Sequence, residues 1–257
     1  MNRLVAFDLD GTLAESKQAI EATMAEALAT LLTVAQVAII SGGDWPQFEK
    51  QVIVRLAPRA CLERLWILPT SGAKLFRFQD GRWNAVYQES FPAEEKTRIL
   101  AAIDGAVRGA GFKDARTWGE QVEDRGSQLT FSALGQEAPL DAKKAWDPDF
   151  TKRKALQAAL RAALPNLSVN IGGSTSIDIT QKGVDKGYGL RRLAEESGLT
   201  LDAMLFVGDA IYPGGNDYPA KEAGVDTIAV RDVAETLTVI AAITARALGR
   251  AERMSPA

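Results

Sequence analysis

The chain has 257 residues, a formal net charge of −3, one cysteine and no histidine. Without histidine there is no Ser-His-Asp or Cys-His catalysis, no His-ligated zinc and no imidazole acid–base chemistry. A lone Cys61 forms neither an internal disulfide nor a thiolate metal cage, so any chemistry must run on carboxylates, lysine, hydroxyls, backbone amides or a hard metal ion.

The composition, 46% hydrophobic and 25% charged, is that of a globular protein with room for a core and a second, smaller unit. Lysines and arginines are interspersed with acids and no basic run is flanked by aromatics, so no nucleic-acid partner is expected. No run reaches the roughly 18–20 apolar residues that span a bilayer, and the first strand-like run is not preceded by signal-peptide regions. The expectation is a cytoplasmic enzyme without a membrane partner.

In chain order, "LVAFDL" reads as a strand buried on both faces. Ile20, Met24, Leu28 and Leu31 then recur at helical spacing. "VAQVAIISGG" and "LERLWILPTSG" supply two further strands, and strand–helix–strand at these spacings predicts right-handed βαβ units and a parallel sheet. From about Trp83 the texture changes. "WNAVYQES" alternates loosely, and a helix follows with Pro92 in its first turn and Ile99, Leu100, Ile103 and Val107 along one face. "SQLTFSAL" alternates, "TKRKALQAALRAAL" carries Leu156, Leu160 and Leu164 on one helical face, and "LSVNIGGSTSIDIT" gives two short strands around a Gly-Gly. Parallel-sheet texture returns near Lys186, with a helix over "YGLRRLAEESG", strands "AMLFVGD" and "TIAV", and a closing Ala/Leu/Ile-rich helix with a frayed tail "RAERMSPA". The predicted fold is α/β: a doubly wound Rossmann-like core over 1–81 and 185–257, interrupted by an α+β insertion over 82–184.

Ligands of an open parallel sheet bind beyond the carboxyl ends of its strands. Asp8 and Asp10 follow the first strand, Ser41 the second, and Asp209 follows "LFVG" with Asp217 close behind; Lys186 opens a helix just after the insertion. Carboxylates, a lysine and a hydroxyl at one sheet edge would make an anion site with a metal. Taken singly, each has a plainer reading: Asp10 as a turn residue bonding its own backbone, Asp209 as a cap, Lys186 as a solvated charge.

Together, "DLDGT", "ISGG", Lys186 and "GDAIYPGGND" resemble, in order, the four motifs of the haloacid dehalogenase (HAD) superfamily of phosphotransferases, and the insertion resembles its type IIB cap. The resemblance implies Asp8 as nucleophile and Asp10 as general acid and base. Lys186 would balance charge, and Mg²⁺ would be held by Asp8, Asp10 (through its backbone carbonyl), Asp209 and Asp217. Ser41 and Gly42 would bind phosphate and Thr12 would hold the first loop.

The "PGGND" ending resembles eukaryotic-type phosphomannomutases, as do "DGTLAESKQ", with Lys17 where arginine is usual, and "GGSTSID", which implies Ser176 and Asp178 as sugar or phosphate contacts. By spacing, Arg125 and Lys143 match two of three basic cap positions that would hold a distal phosphate, and Gln136 stands where the middle arginine would be. Losing that guanidinium removes a bidentate phosphate clamp. The expectation is therefore a Mg²⁺-dependent sugar-phosphate phosphatase. Its alternatives are a phosphohexomutase using the same nucleophile and, from another class, a catalytically silent sugar-phosphate binding protein. A cap hinging near Gln79–Gly81 and Lys182–Gly183, and a homodimer through the cap, complete the expectations.

Overall fold

The computed structural model describes residues 4–111 and 116–254, the side chains of Leu140 and of 250–254 aside. The chain divides into two compact units, Met1–Gln88 with Asp185–Ala257, and Glu89–Val184.

The first unit is built on a seven-stranded sheet. In chain order it contains β1 (Leu4–Asp8), α1 (Ala22–Val34), β2 (Gln36–Ile40), α2 (Trp45–Gln51), β3 (Leu65–Leu68), β4 (Lys74–Gln79) and β5 (Arg82–Gln88). The second unit comprises α3 (Ala93–Gly109), β6 (Val122–Asp124), β7 (Gln128–Ser132), α4 (Leu140–Trp146), α5 (Thr151–Ala163), β8 (Leu167–Ile171) and β9 (Ser176–Gln181). The chain returns to the first sheet with α6 (Lys186–Ser197), β10 (Met204–Gly208), α7 (Tyr218–Glu222), β11 (Asp226–Ala229) and α8 (Val233–Met254).

The large sheet runs β11-β10-β1-β2-β3-β4-β5; its first five strands are parallel and β4 and β5 antiparallel. Strand alternation sorts the apolar run of β1 onto two faces. Val5 and Phe7 pack with Met24, Leu28 and Leu31 of α1 and Ile240 of α8, while Leu4 and Ala6 pack with Leu190 and Leu193 of α6. Each of these side chains other than Ala6, taken fully out of water, contributes about 1.5–3 kcal/mol. Helix α6 starts on Asp185, whose side chain accepts from Tyr188 N at 2.8 Å, and stops at Gly198 in the left-handed region.

Two details depart from the sequence reading. Residues 82–88, expected in the insertion, belong to the first sheet, because Arg82–Gln88 pairs antiparallel with Lys74–Gln79. Gln79–Gly81 is therefore no hinge: Asp80 and Gly81, at φ 53° and 74°, close a two-residue hairpin of the kind that Asp-Gly favours. The tail also differs. Helix α8 continues to Met254 rather than fraying at Arg250, and residues 255–257 lie outside the described part.

The second unit is a four-stranded antiparallel sheet, β6-β7-β9-β8. One face, with Leu129, Phe131, Ile177 and Ile179, packs on Ile99 and Ile103 of α3 and Leu156 and Leu160 of α5. The alternate residues Gln128, Thr130, Ser176 and Asp178 fall on the other face. Among the described residues, no helix is long and apolar enough to cross a membrane.

Candidate active site

Parallel pairing brings the carboxyl ends of β1, β2 and β10 to one edge, since Asp8 lies beside Ile40 and Phe7 beside Val207. Asp8 ends β1, Ser41 follows β2 and Asp209 follows β10. After Asp8 the chain folds into a tight loop: Leu13 N and Ala14 N both donate to Leu9 O at 3.0 Å, and Gly11 N donates to Ala14 O at 2.7 Å. Gly11 sits at φ +90°, and a side chain there would run into the Asp209 carboxylate. The glycine thus turns the loop and leaves room for an acid from another strand. Thr12 is buried in this loop, its hydroxyl bonded to no described group.

Lys186, the first residue of α6, is buried between two carboxylates and donates to Asp8 Oδ1 and Asp217 Oδ1. The second Asp217 oxygen accepts from Ala210 N at 2.9 Å. Ligand oxygens of Asp8, Asp209 and Asp217 all lie within 4.8 Å of one another. One ammonium therefore faces three acids, two of them buried. Burial alone would neutralise Lys186, but Asp8 and Asp217 outweigh it and hold the lysine above its ordinary pKa. Asp8 is raised to about 7, first by burial and then by Asp217, against the pull of Lys186. Asp209 is raised too, by burial and by Asp217. The cluster carries surplus negative charge in a poorly solvated place, which a divalent cation would neutralise. Hard carboxylate oxygens at this mutual distance, with space kept by Gly11, fit a metal of the Mg²⁺ type.

The carboxylate of Asp10 stands outside that cluster. Its Oδ1 accepts from Lys17 N at 2.6 Å and its Oδ2 from Gln47 Nε2 at 3.0 Å. Lys17 adopts φ +60°, and its side chain is exposed. Ser41 is buried, its hydroxyl accepting from Gly43 N at 3.2 Å, and Gly42 lies between the two. The loop is braced from below: Thr70 N donates to Gly43 O and Ser71 N to Ser41 O, both at 2.8 Å. Thr70 and Ser71 both hold positive φ, 49° and 57°, a strain of about 1–3 kcal/mol each kept beside the phosphate-loop candidate. Lys74 Nζ also reaches Asp44 Oδ1 at 2.7 Å, fixing the residue that caps α2.

In the second unit, Gln128 Nε2 donates to Thr130 Oγ1 (2.9 Å), which donates to Asp178 Oδ1 (2.8 Å). Burial raises the Asp178 pKa against that bond and the charge of Arg125. Arg125 pairs with Glu123 at 2.7 Å, and Ser176 lies in β9 beside Ser132. Lys143 Nζ donates to Gln136 O at 2.9 Å, so these two positions are neighbours, and Gln136 Nε2 is buried and bonded to no described group. The structure thus joins Asp8, Lys186, Asp209 and Asp217 in one cluster, Asp10 with Lys17 beside Gln47, Arg125 with Asp178, and Lys143 with Gln136. Sequence reasoning missed Gln47, Gln51, Gln128 and Thr130. The Gln47/Gln51 pair at i and i+4 just after "ISGGDWP" was the available signal for the first two.

A doubly wound sheet with this acidic edge and an inserted α+β unit defines an enzyme of the HAD class, a phosphotransferase or phosphatase. Solved structures of that fold match nearly the whole chain. A haloacid dehalogenase-like hydrolase from Bacteroides thetaiotaomicron superposes with a TM-score of 0.64 at 17% identity, covering 95% of this chain and 100% of that one. An N-terminally truncated IMP-nucleotidase from Plasmodium falciparum gives 0.69 at 14% identity, covering 94% and 70%. The family profile described as "Eukaryotic phosphomannomutase" matches residues 24–240, and the chain belongs to that family. Similar proteins include a phosphomannomutase of Dendrobium officinale, 27% identical over 86% of this chain and 85% of its own length. Phosphomannomutase 1 of Dictyostelium discoideum is 26% identical over 84% and 86%. These relatives favour the mutase alternative over the phosphatase expectation.

Proposed function

We propose that this protein is a Mg²⁺-dependent phosphohexomutase that moves a phosphoryl group between positions of a hexose through an aspartyl-phosphate on Asp8. The observation that carries the reading is the family match across 24–240, which includes the inserted unit as well as most of the first one. An Asp8 oxygen attacks phosphorus as the bond to the sugar oxygen breaks. That oxygen keeps the electron pair and takes the proton of Asp10. In the second half-reaction Asp10 removes the proton of another hexose hydroxyl, whose oxygen attacks phosphorus and releases Asp8. Lys186 holds the charge of Asp8 and of the phosphoryl oxygens, Ser41 and Gly42 bind those oxygens, and Thr12 and the Lys17 backbone fix the loop. Asp8, Asp209 and Asp217, with the Asp10 carbonyl, would hold Mg²⁺, which supplies neutralising charge. Arg125, Lys143, Ser176 and Asp178 are the proposed contacts to the sugar and its distal phosphate, and Lys182–Gly183 the proposed hinge of a moving cap.

A second reading, sugar-phosphate hydrolysis with water as the acceptor, is favoured by one residue. Gln136 offers a buried neutral amide where an arginine clamp would retain a bisphosphate intermediate. The test follows free phosphate and hexose 6-phosphate together, on mannose 1-phosphate and glucose 1-phosphate with Mg²⁺ and a trace of hexose 1,6-bisphosphate. Hexose 6-phosphate without phosphate release supports the mutase; phosphate release without isomer formation replaces it with the phosphatase.

A further inference from the structure

We infer that Gln47 is a positioning residue for Asp10, holding its carboxyl group in the rotation from which it serves the reacting oxygen; this rests on the reading of Asp10 as acid and base. Four observations meet at this side chain. Gln47 Nε2 lies 3.0 Å from Asp10 Oδ2 and 2.9 Å from Gln51 Oε1. Both neighbours there are acceptors, so the amide nitrogen with its two hydrogens is the end that faces them. Gln51 is itself buried, and its backbone oxygen accepts from Ile20 N at 2.9 Å, which ties the end of α2 to the segment following the Asp10 loop. The other Asp10 oxygen is held from that same loop by Lys17 N. Finally, a side chain at Gly43 would collide with the Gln47 amide, so the second loop keeps open the space the amide occupies.

Asp10 thus hangs between two donors on different segments, and the Gln47 bond is the one made by a side chain. An amide neither gains nor loses a proton in this range, so Gln47 orients without competing for the proton that Asp10 transfers. As the P–O bond breaks toward the sugar oxygen and the Asp8–P bond forms, that proton has to be in place. A carboxyl free to rotate would present it only part of the time.

The experiment compares Gln47→Leu and Gly43→Ala with wild type and with Asp10→Asn, with thermal unfolding to establish that each variant folds. Two substrates differ in their need for a proton: hexose 1-phosphate, whose leaving alkoxide requires one, and p-nitrophenyl phosphate, whose phenolate leaves unaided. Gln47→Leu is expected to lower kcat on hexose 1-phosphate by about 10- to 100-fold, a part of what general acid catalysis supplies. KM should stay within about twofold, and the single-turnover burst of p-nitrophenolate should be unchanged. Gly43→Ala displaces the amide without removing it and is expected to give the same pattern more weakly. Equal losses on both substrates, a rise in KM in place of the fall in kcat, or no loss would overturn the role of Gln47 while Asp10→Asn still discriminates between the substrates. If Asp10→Asn itself slows both substrates equally, the acid–base reading of Asp10 falls and the role of Gln47 falls with it.

Discussion

In the unit of residues 1–88 and 185–257, acids from two separate stretches, Asp8 after β1 and Asp209 with Asp217 after β10, converge on one spot, where Lys186 pairs with Asp8 and Asp217. In the unit of residues 89–184 the polar groups stay dispersed: Arg125 pairs with Glu123 and Asp178 hangs on Thr130 at the antiparallel sheet, while Lys143 of α4 reaches a backbone oxygen. The difference follows from topology. Parallel strands all deliver their carboxyl ends to one edge, so charges far apart in sequence are forced together there. An antiparallel sheet sends successive strand ends to opposite edges and instead offers one broad polar face, on which residue identity rather than convergence sets what is bound.

Loss of the carboxylate at the centre of the first arrangement should have the greatest consequence. Asp8→Asn should lower turnover by at least about 10³-fold with the fold retained, as loss of a nucleophile does; steady-state kinetics beside circular dichroism checks it. Chelation should abolish turnover comparably, with recovery on adding Mg²⁺. Mg²⁺ at about 100 times its Kd should also stabilise the fold by about 2.7 kcal/mol, measured by denaturant titration.

A substitution confined to the second unit should act differently. Arg153 is buried, paired with Asp147 at 2.7 Å, and donates to Gly173 O at 2.9 Å in the Gly-Gly turn before Ser176. Removing one partner strands the other, so Arg153→Met should cost roughly 3–5 kcal/mol. Hydrogen exchange should localise that loss to residues 89–184 and leave β1 and β10 protected. Gln136→Arg should act on the products rather than on stability. A restored charged donor worth about 1.5–3 kcal/mol should shift the product ratio from free phosphate toward hexose 6-phosphate by about 10-fold or more.

A further effect is that of pH. The folded pKa of Asp8, about 7, lies above the ordinary carboxylate value of 3.8, so the folded state binds the extra proton between them. Stability of the metal-free protein should therefore be greatest below about pH 4 with respect to this group and decline as pH rises toward 7. Asp8→Asn should flatten that slope in urea titrations across the range.

How much of this could be read in the chain depended on the kind of signal. The βαβ pattern, the buried run of β1 and the acids at strand ends are local and periodic, and they forecast the sheet and the Asp8–Lys186–Asp209–Asp217 cluster. The β4–β5 hairpin was missed, although "QDGR" carries its Asp-Gly turn, because a change of texture near Trp83 outweighed a two-residue signal. The partners of Asp10 and Asp178 were not legible for another reason. Gln47 is 37 residues from Asp10, and Thr130 is 48 from Asp178. Glutamine and threonine are common on any polar face, and only the register of the folded chain singles out these two.

In a mutase, phosphate held on Asp8 is handed to a sugar and not to water. Rapid-quench analysis with hexose 1,6-bisphosphate labelled in its phosphoryl groups tests it directly, by following where the label goes when unlabelled hexose 1-phosphate is added to the loaded enzyme. The mutase account predicts label passing through an acid-stable, base-labile adduct on Asp8 into hexose phosphates, with inorganic phosphate a minor product. Label appearing chiefly as inorganic phosphate, at a rate unaffected by added hexose phosphate, would contradict it.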